Sequence, residues 1–283
     1  MLSLHEKEQE KIFKPDFSSK SGRELLAFYL QTKFKQLFLY DKKQPTPIIN
    51  ALNPDFINRF TKRIINNPSK RMLIGVTGES ASGKSTICLE IKNVIERLSM
   101  PVAVLSTDNY FNDISDLINK YGSFDAVRDS GYDVDAPENF QLDILRQDLE
   151  NLSQGTDIKS PMYLPNGTGV SVPNALDVKS QKIIVVEGIA TMYEEVKDVF
   201  DIKIYVETDK KLRQTRFISR AVEERNQDKE NAMKHWNYIS KAGEKYVKPF
   251  RKEADLVLNG NSDLNYFAQI LEYIYEITNN FEN

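Results

Sequence analysis

The residues Gly78-Glu79-Ser80-Ala81-Ser82-Gly83-Lys84-Ser85 follow the pattern G-x-x-x-x-G-K-S without exception. An apolar run, Met72 to Thr77, stands before them, and a helical pattern runs after them through Leu98. This order constrains the chain to a strand, a tight loop and a helix. Gly78 and Gly83 permit backbone angles that side-chained residues resist. The loop's N–H groups can then wrap a polyphosphate, and the helix N-terminus adds positive potential. Lys84 is expected to reach the β- and γ-phosphates, and Ser85 to ligate Mg²⁺. With Thr86, the whole loop is a binding site for ATP or GTP. The pattern alone does not separate a kinase from an ATPase or GTPase.

Strand and helix signals alternate from Arg71 onward. Strands are expected at 72–77, 101–107, 182–187, 202–207 and 254–258. Helices are expected after the loop, at 140–152, at 210–225 and at 266–278. Short apolar strands separated by helices imply an α/β fold with a mostly parallel sheet covered on both faces. Residues 1–70 read differently. Leu25, Leu26, Tyr29, Leu30, Phe34, Leu37 and Phe38 form an apolar stripe at helical spacing, opened by Ser21-Gly22. A proline-rich break at 42–47 precedes a second helix capped by Asn53-Pro54 and carrying Ile57, Phe60, Ile64 and Ile65. The expected organisation is an α-helical extension, 1–70, ahead of a main domain, 71–283.

The net charge of −3 gives no overall case for nucleic acid or an anionic membrane. The extension carries +6 and the remainder −9, so residues 1–70 could engage an acidic partner, although solvated Lys and Arg explain the balance as well. Cys88 is the single cysteine, so no intramolecular disulfide forms, and two histidines do not make a histidine metal site. No apolar run approaches the roughly 20 residues of a membrane helix, and no signal pattern opens the chain, so a cytoplasmic location is expected.

Ligands of open α/β sheets bind beyond the carboxyl ends of the strands. Asp108 and Glu187 stand at such ends. Asp108 is the candidate base for an alcohol acceptor and a candidate metal-side acid; Glu187 is the candidate Mg²⁺ partner. Arg213, Arg216, Arg220 and Arg225 lie on one charged stretch, and Arg216 and Arg220 share a helix face that could close as a lid.

These features, taken with Leu105 to Phe111, Tyr132 to Phe140, Pro161-Met162-Tyr163, Val185 to Ile189, Arg216 to Arg225 and Ala254 to Val257, resemble the uridine kinase and phosphoribulokinase family over nearly three quarters of the chain. The resemblance implies a P-loop fold, a five-stranded parallel sheet between helices with a helical lid. It makes Asp108 the base, Lys84 a catalytic cation, Glu187 the Mg²⁺-associated acid, and Arg220 and Arg225 lid arginines. It makes Asp135 the acid that holds the acceptor's ribose hydroxyls and Tyr163 a pocket tyrosine, with Tyr110, Phe111 and Arg216 on the acceptor side. Departures fall on that side. The family's base-reading histidine has no counterpart near Thr168, its Asp-Ser-Phe-Tyr is Asp108-Asn109-Tyr110-Phe111, its second lid arginine is Phe217, a further arginine is Gln227, and its Asp-His-Pro is Asp135-Ala136-Pro137.

Two hypotheses follow. One is an ATP·Mg²⁺-dependent kinase for a small-molecule alcohol, with uridine or cytidine first and pantothenate, a sugar phosphate or glycerate as alternatives. The other is a nucleotide-binding regulator that uses residues 1–70 to engage a partner. Neither involves nucleic acid or a membrane, and both leave room for a homo-oligomer.

Overall fold

The computed structural model describes residues 70–97, 101–164, 167–224 and 227–261, with residues 19, 21, 22, 24, 25 and 28 and the segment 48–50. The proposed second helix of the extension, the closing helix at 266–278, most of the first apolar stripe and Arg225 lie outside the described residues. Ser21, Gly22, Glu24, Leu25 and Phe28 are helical as expected, and the Gly22 amide donates to Ser19 Oγ at 3.0 Å, a side-chain cap.

The strands of the main sheet are β1 (Ile48–Asn50), β2 (Met72–Thr77), β3 (Val102–Ser106), β6 (Ile183–Glu187), β7 (Ile202–Glu207) and β8 (Leu256–Asn259). They lie in the order β1-β8-β7-β2-β6-β3. The pairs from β8 across to β3 are parallel; β1 runs antiparallel to β8. The five parallel strands match the expectation. The sixth corrects it, because residues 48–50 were read as part of an all-helical extension and instead lengthen the sheet at its edge. Two isoleucines in a three-residue strand between prolines and polar residues are too short a run to show a period.

Helix α1 (Lys84–Arg97) packs on β6, β3 and β2, and buries Ile87, Cys88, Ile91, Val94 and Ile95. Helix α4 (Leu142–Ser153) buries Leu142, Leu145, Leu149 and Leu152, the stripe that a 3.6-residue period produces. These join Leu73, Leu105, Ile184, Val186 and Tyr205 in one core. Between β3 and α4 lie two short helices, α2 (Ser115–Tyr121) and α3 (Phe124–Asp129). After α4 a hairpin, β4 (Ile158–Tyr163) with β5 (Ser171–Val178), forms a separate two-stranded sheet. Helices α5 (Lys210–Glu223) and α6 (Lys229–Ala242) form an antiparallel pair with its own small core of Phe217, Ala221, Ala232, Trp236 and Ile239. Helix α5 matches a helix expected from the sequence, whereas α2, α3, α6 and the hairpin carry no such expectation.

Gly75, in the middle of β2, faces the ring of Phe200. A Cβ there would lie 2.9 Å from Phe200 Cδ1 and Cγ, and Phe200 is only 4% exposed, so the ring has little room to move. Gly75→Ala should therefore cost about 1–3 kcal/mol by overpacking, and Phe200→Leu in the same chain should recover part of the loss. Chemical denaturation of the two single variants and the double variant checks this.

Candidate active site

The phosphate loop joins β2 to α1 at the carboxyl edge of the sheet. Gly78 has φ +151°, and a Cβ on it would lie 2.5 Å from the Val206 carbonyl oxygen. Ala81, at the loop's turn, has φ +60°. Lys84 Nζ donates to the carbonyl oxygens of Gly78 at 2.8 Å and Glu79 at 3.3 Å, which holds the ammonium over the loop. The Thr208 hydroxyl donates to the Ser82 carbonyl at 2.7 Å from below. Arg213 pairs with Glu79 at 2.9 Å, with side chains only 4% and 12% exposed. Its Nε also donates to Thr208 O at 3.1 Å, and its guanidinium lies over Trp236 at 5.6 Å. Glu79 is thus an anchored residue: its carboxylate is turned toward Arg213.

Glu187 and Asp108 end neighbouring strands, β6 and β3. Ser85 Oγ and Ser106 Oγ donate to the two carboxylate oxygens of Glu187, each at 3.3 Å. Gly188 lets the strand ends meet: at φ +134° it lies so close to Thr107 that a Cβ would be 1.9 Å from Thr107 Oγ1 and 3.4 Å from Asp108 Oδ1. A side chain there would push the two acids apart. Asp108 itself sits in a short 3₁₀ turn, Thr107–Tyr110, with its amide facing Ser106 Oγ at 3.4 Å. Ser85 and Glu187 together offer hard oxygen donors to a cation. That suits Mg²⁺, which takes one or two protein oxygens and completes its shell with water and phosphate. Among the described residues no three His, Cys, Asp or Glu side chains gather as a self-sufficient metal cage. Cys88 lies behind the loop; burial, and then the charge of Glu187, push its thiol far above the ordinary range, so it is an inert core residue.

The segment Tyr132–Asp135 forms the other side. Asp135 keeps part of its surface, yet protein atoms surround its carboxyl, and its pKa is pushed up to about 7. Burial is the first cause, the charges of Asp108 and Asp133 add to it, and Lys84 opposes it. These influences put Asp108, Lys84 and Asp135 in one neighbourhood. Backbone carbonyls hold the segment in place: Tyr193 donates to Asp135 O, Asn139 Nδ2 to Asp133 O at 2.6 Å, and Tyr238 to Tyr132 O. Beside it, Phe111 stacks on Phe140 with centroids 4.2 Å apart and meets Tyr163 at 5.4 Å. Burial, and then Tyr132, push the Tyr163 phenol up to about 12, so it stays a hydrogen-bond donor at neutral pH.

Two expected acceptor-side residues lie elsewhere. Tyr110 is fully buried in the core, with its hydroxyl on Asp148 at 2.7 Å. Tyr110 ends the 3₁₀ turn with its ring in the core, and Phe111, the next residue, packs against Phe140 and Tyr163 instead. Arg216 donates to Gly260 O at 3.3 Å and Asn261 Oδ1 at 3.0 Å, and its Nη1 lies 3.8 Å from where a Gly83 Cβ would be. It therefore stands against the phosphate loop. Arg220 is half exposed, 4.0 Å from Glu224. Phe217, read as the loss of a lid arginine, packs into the α5–α6 core against Trp236 and His235. Thr168 lies exposed in the turn of the hairpin. Arg213, one of the arginines of the charged stretch, supports the phosphate loop, while Tyr193 and Tyr238 support the site with no local signal in the sequence, since each acts across more than 50 positions of chain.

Comparison with known proteins identifies the family. The profile of the Phosphoribulokinase / Uridine kinase family matches residues 73–265. The uridine kinase of Chlamydia pneumoniae is 30% identical over 217 residues, spanning 75% of this chain and 91% of that one. The uridine kinase of Staphylococcus aureus is 31% identical over 188 residues, 66% of this chain and 86% of that one. Among solved structures, a putative fructose transport system kinase from Silicibacter sp. TM1040 superposes with a TM-score of 0.55 at 18% identity, covering 82% of this chain and 98% of the other, a likeness of fold. No helix among the described residues is long and apolar enough to cross a membrane.

The raised pKa of Asp135 has a cost that stability measurements can read. An ordinary aspartate ionises near 3.8, whereas this one holds its proton to about 7. Between those values the folded chain binds the proton that the unfolded chain releases, so this group's contribution to stability falls as pH rises through the window. Asp135→Asn should thus be more stable than the parent at pH 8, by about 1–3 kcal/mol after allowance for solvent screening. The difference should shrink toward zero at pH 4, which thermal unfolding at the two pH values checks.

Proposed function

The chain belongs to the phosphoribulokinase and uridine kinase family and is a small-molecule kinase; on that footing we propose that it transfers the γ-phosphoryl group of ATP to a hydroxyl of uridine or cytidine. One observation carries the proposal: Asp108 and Lys84 both act electrostatically on Asp135, so the loop that would take the donor and the acid that would take the acceptor face the same space. The aromatic wall of Phe111 and Tyr163 supports a planar base over an open-chain acceptor.

In this reading Asp108 accepts the proton of the attacking hydroxyl, late in a loose transition state. Asp135, as a carboxylate, accepts hydrogen bonds from the ribose hydroxyls and fixes the acceptor's orientation. Lys84 leaves the Gly78 and Glu79 carbonyls for the β- and γ-phosphate oxygens. Ser85 and Glu187 would hold Mg²⁺, which when bound neutralises charge on those phosphates. Arg220 and Arg225 are assigned charge stabilisation on the transferred group, and residues 71–283 the catalytic domain. The extension, 1–70, is reserved for a role of its own beyond strand β1.

The exposed Thr168 and the lack of a base-reading histidine favour the second reading, a non-nucleoside alcohol as acceptor. Coupled ADP release over a panel of uridine, cytidine, pantothenate, glycerate and sugar phosphates separates the two. Uridine or cytidine should give the highest kcat/KM; no rate above background with either, and turnover of another alcohol, would discard the nucleoside. Asp108→Asn should lower kcat by roughly 10²–10⁴-fold with nucleotide affinity retained. Full biological activity in that variant would point to a regulator instead.

The state of Asp135 also sets a pH dependence. Only its ionised form accepts hydrogen bonds at both oxygens, so acceptor KM should fall as pH rises through about 7 and level off above pH 8. In Asp135→Asn the KM should be high at every pH, which initial-rate measurements from pH 6 to 8.5 test.

A further inference from the structure

We propose that Tyr238 and Tyr246 are positioning residues that couple nucleotide loading on the phosphate loop to the placement of Asp135, through the α5–α6 pair. The proposal rests on the kinase reading above for Asp135, but its structural core concerns this chain's own contacts.

The α5–α6 pair grips the phosphate loop at two points. Glu79 is paired with Arg213 of α5 at 2.9 Å, and Ala81 packs against the core of Phe217, Ala232 and Trp236. Tyr238 of α6 packs on that same core, and its hydroxyl donates to the Tyr132 carbonyl, with the Val134 amide in reach of the same oxygen. A side chain packed on the same core as Ala81 therefore ends on the acceptor segment.

The turn that follows α6 repeats the connection. Gly243–Val247 is a π-helical turn, a form that recurs at functional sites. Its first residue lies against Glu79: a Cβ on Gly243 would be 3.3 Å from Glu79 Cγ. Three residues on, the Tyr246 hydroxyl donates to Asp133 Oδ2 at 2.8 Å and accepts from Lys245, whose ammonium is 3.6 Å from the same carboxylate oxygen. One turn of backbone thus touches the loop at one end and the acceptor segment at the other. Interiors packed at native density transmit displacement, so a shift of Glu79 or Ala81 on nucleotide binding is carried to Tyr132 and Asp133. Asp135 lies two residues beyond, and its own carbonyl is fixed by Tyr193.

Hydrogen exchange read by mass spectrometry tests the coupling without any acceptor. The probe is Mg²⁺ with a non-hydrolysable ATP analogue, and binding is followed by the emission of Trp236, the chain's single tryptophan. In the parent protein the probe should slow exchange across residues 132–140. In Tyr238→Phe and in Tyr246→Phe it should bind within about twofold of the parent affinity while that protection falls by about three- to tenfold, the size of one lost hydrogen bond. In turnover, the same variants should raise acceptor KM by a similar factor and leave kcat within about twofold. Unchanged protection in both variants overturns the proposal, as does a parent protein whose segment 132–140 is indifferent to nucleotide. Tyr246 is the more exposed of the two, so its variant answers the question even where Tyr238→Phe is poorly folded. Lack of acceptor-dependent ADP formation in the parent protein would sink the kinase reading alone, since the exchange result stands without it.

Discussion

The chain leaving β2 can turn over the sheet edge only because Gly78 carries no Cβ; at φ +151° one would sit 2.5 Å from the Val206 carbonyl. That contact fixes the loop against β7, and other contacts follow from it. Thr208, just past β7, reaches the Ser82 carbonyl, and Arg213, one turn into α5, reaches Glu79. Gly260, after β8, lies so close to the loop that its own Cβ would be 1.9 Å from Ser82 O. The loop is therefore built from the ends of β7 and β8 and the start of α5 as much as from its own eight residues. A buried ion pair such as Glu79–Arg213 adds little net stability, but losing one partner costs about 3–5 kcal/mol, so it fixes geometry more than it stabilises.

A second constraint sets the acids. Gly188 and Thr107 bring β6 and β3 so close that Glu187 and Asp108 project into one region. Glu187 is then shared between Ser85 and Ser106, which ties the start of α1 to the end of β3. Because the two strands run parallel, their carboxyl ends open on the same side. The site is in this sense a consequence of sheet topology, with side chains chosen to use it.

Much of this was legible in sequence where the signal was local. The phosphate loop sits between a strand and a helix because eight contiguous residues demand it, and the strands at 183–187 and 202–207 are apolar but for Lys203 and the glutamates that end them. The chain's non-local features were less legible. Tyr110 reads as a pocket residue by its place beside Asp108, but a buried partner 38 positions away, Asp148, holds it in the core. Phe217 reads as a missing charge, and its meaning appears only once α6 supplies Trp236 and His235. The hairpin β4–β5 was hidden because its strands contain Pro161 and Pro173, and because β5 mixes polar and apolar residues without a clean alternation. Strand β1 was hidden by length: a three-residue strand is recognisable by its partner β8 rather than by its own residues.

Asp135 carries one more consequence. With its pKa near 7, about half the molecules at neutral pH hold a proton on this carboxyl. On the role proposed for it, an acceptor that needs the carboxylate must displace that proton, so the proton is itself a competing ligand. Acceptor binding would then release a fraction of a proton to the solvent, and the heat measured in a calorimeter would vary with the ionisation enthalpy of the buffer. A fall in pH would weaken the acceptor's hold with no effector molecule involved, because burial, and then the charges of Asp108 and Asp133, favour the proton on this carboxyl.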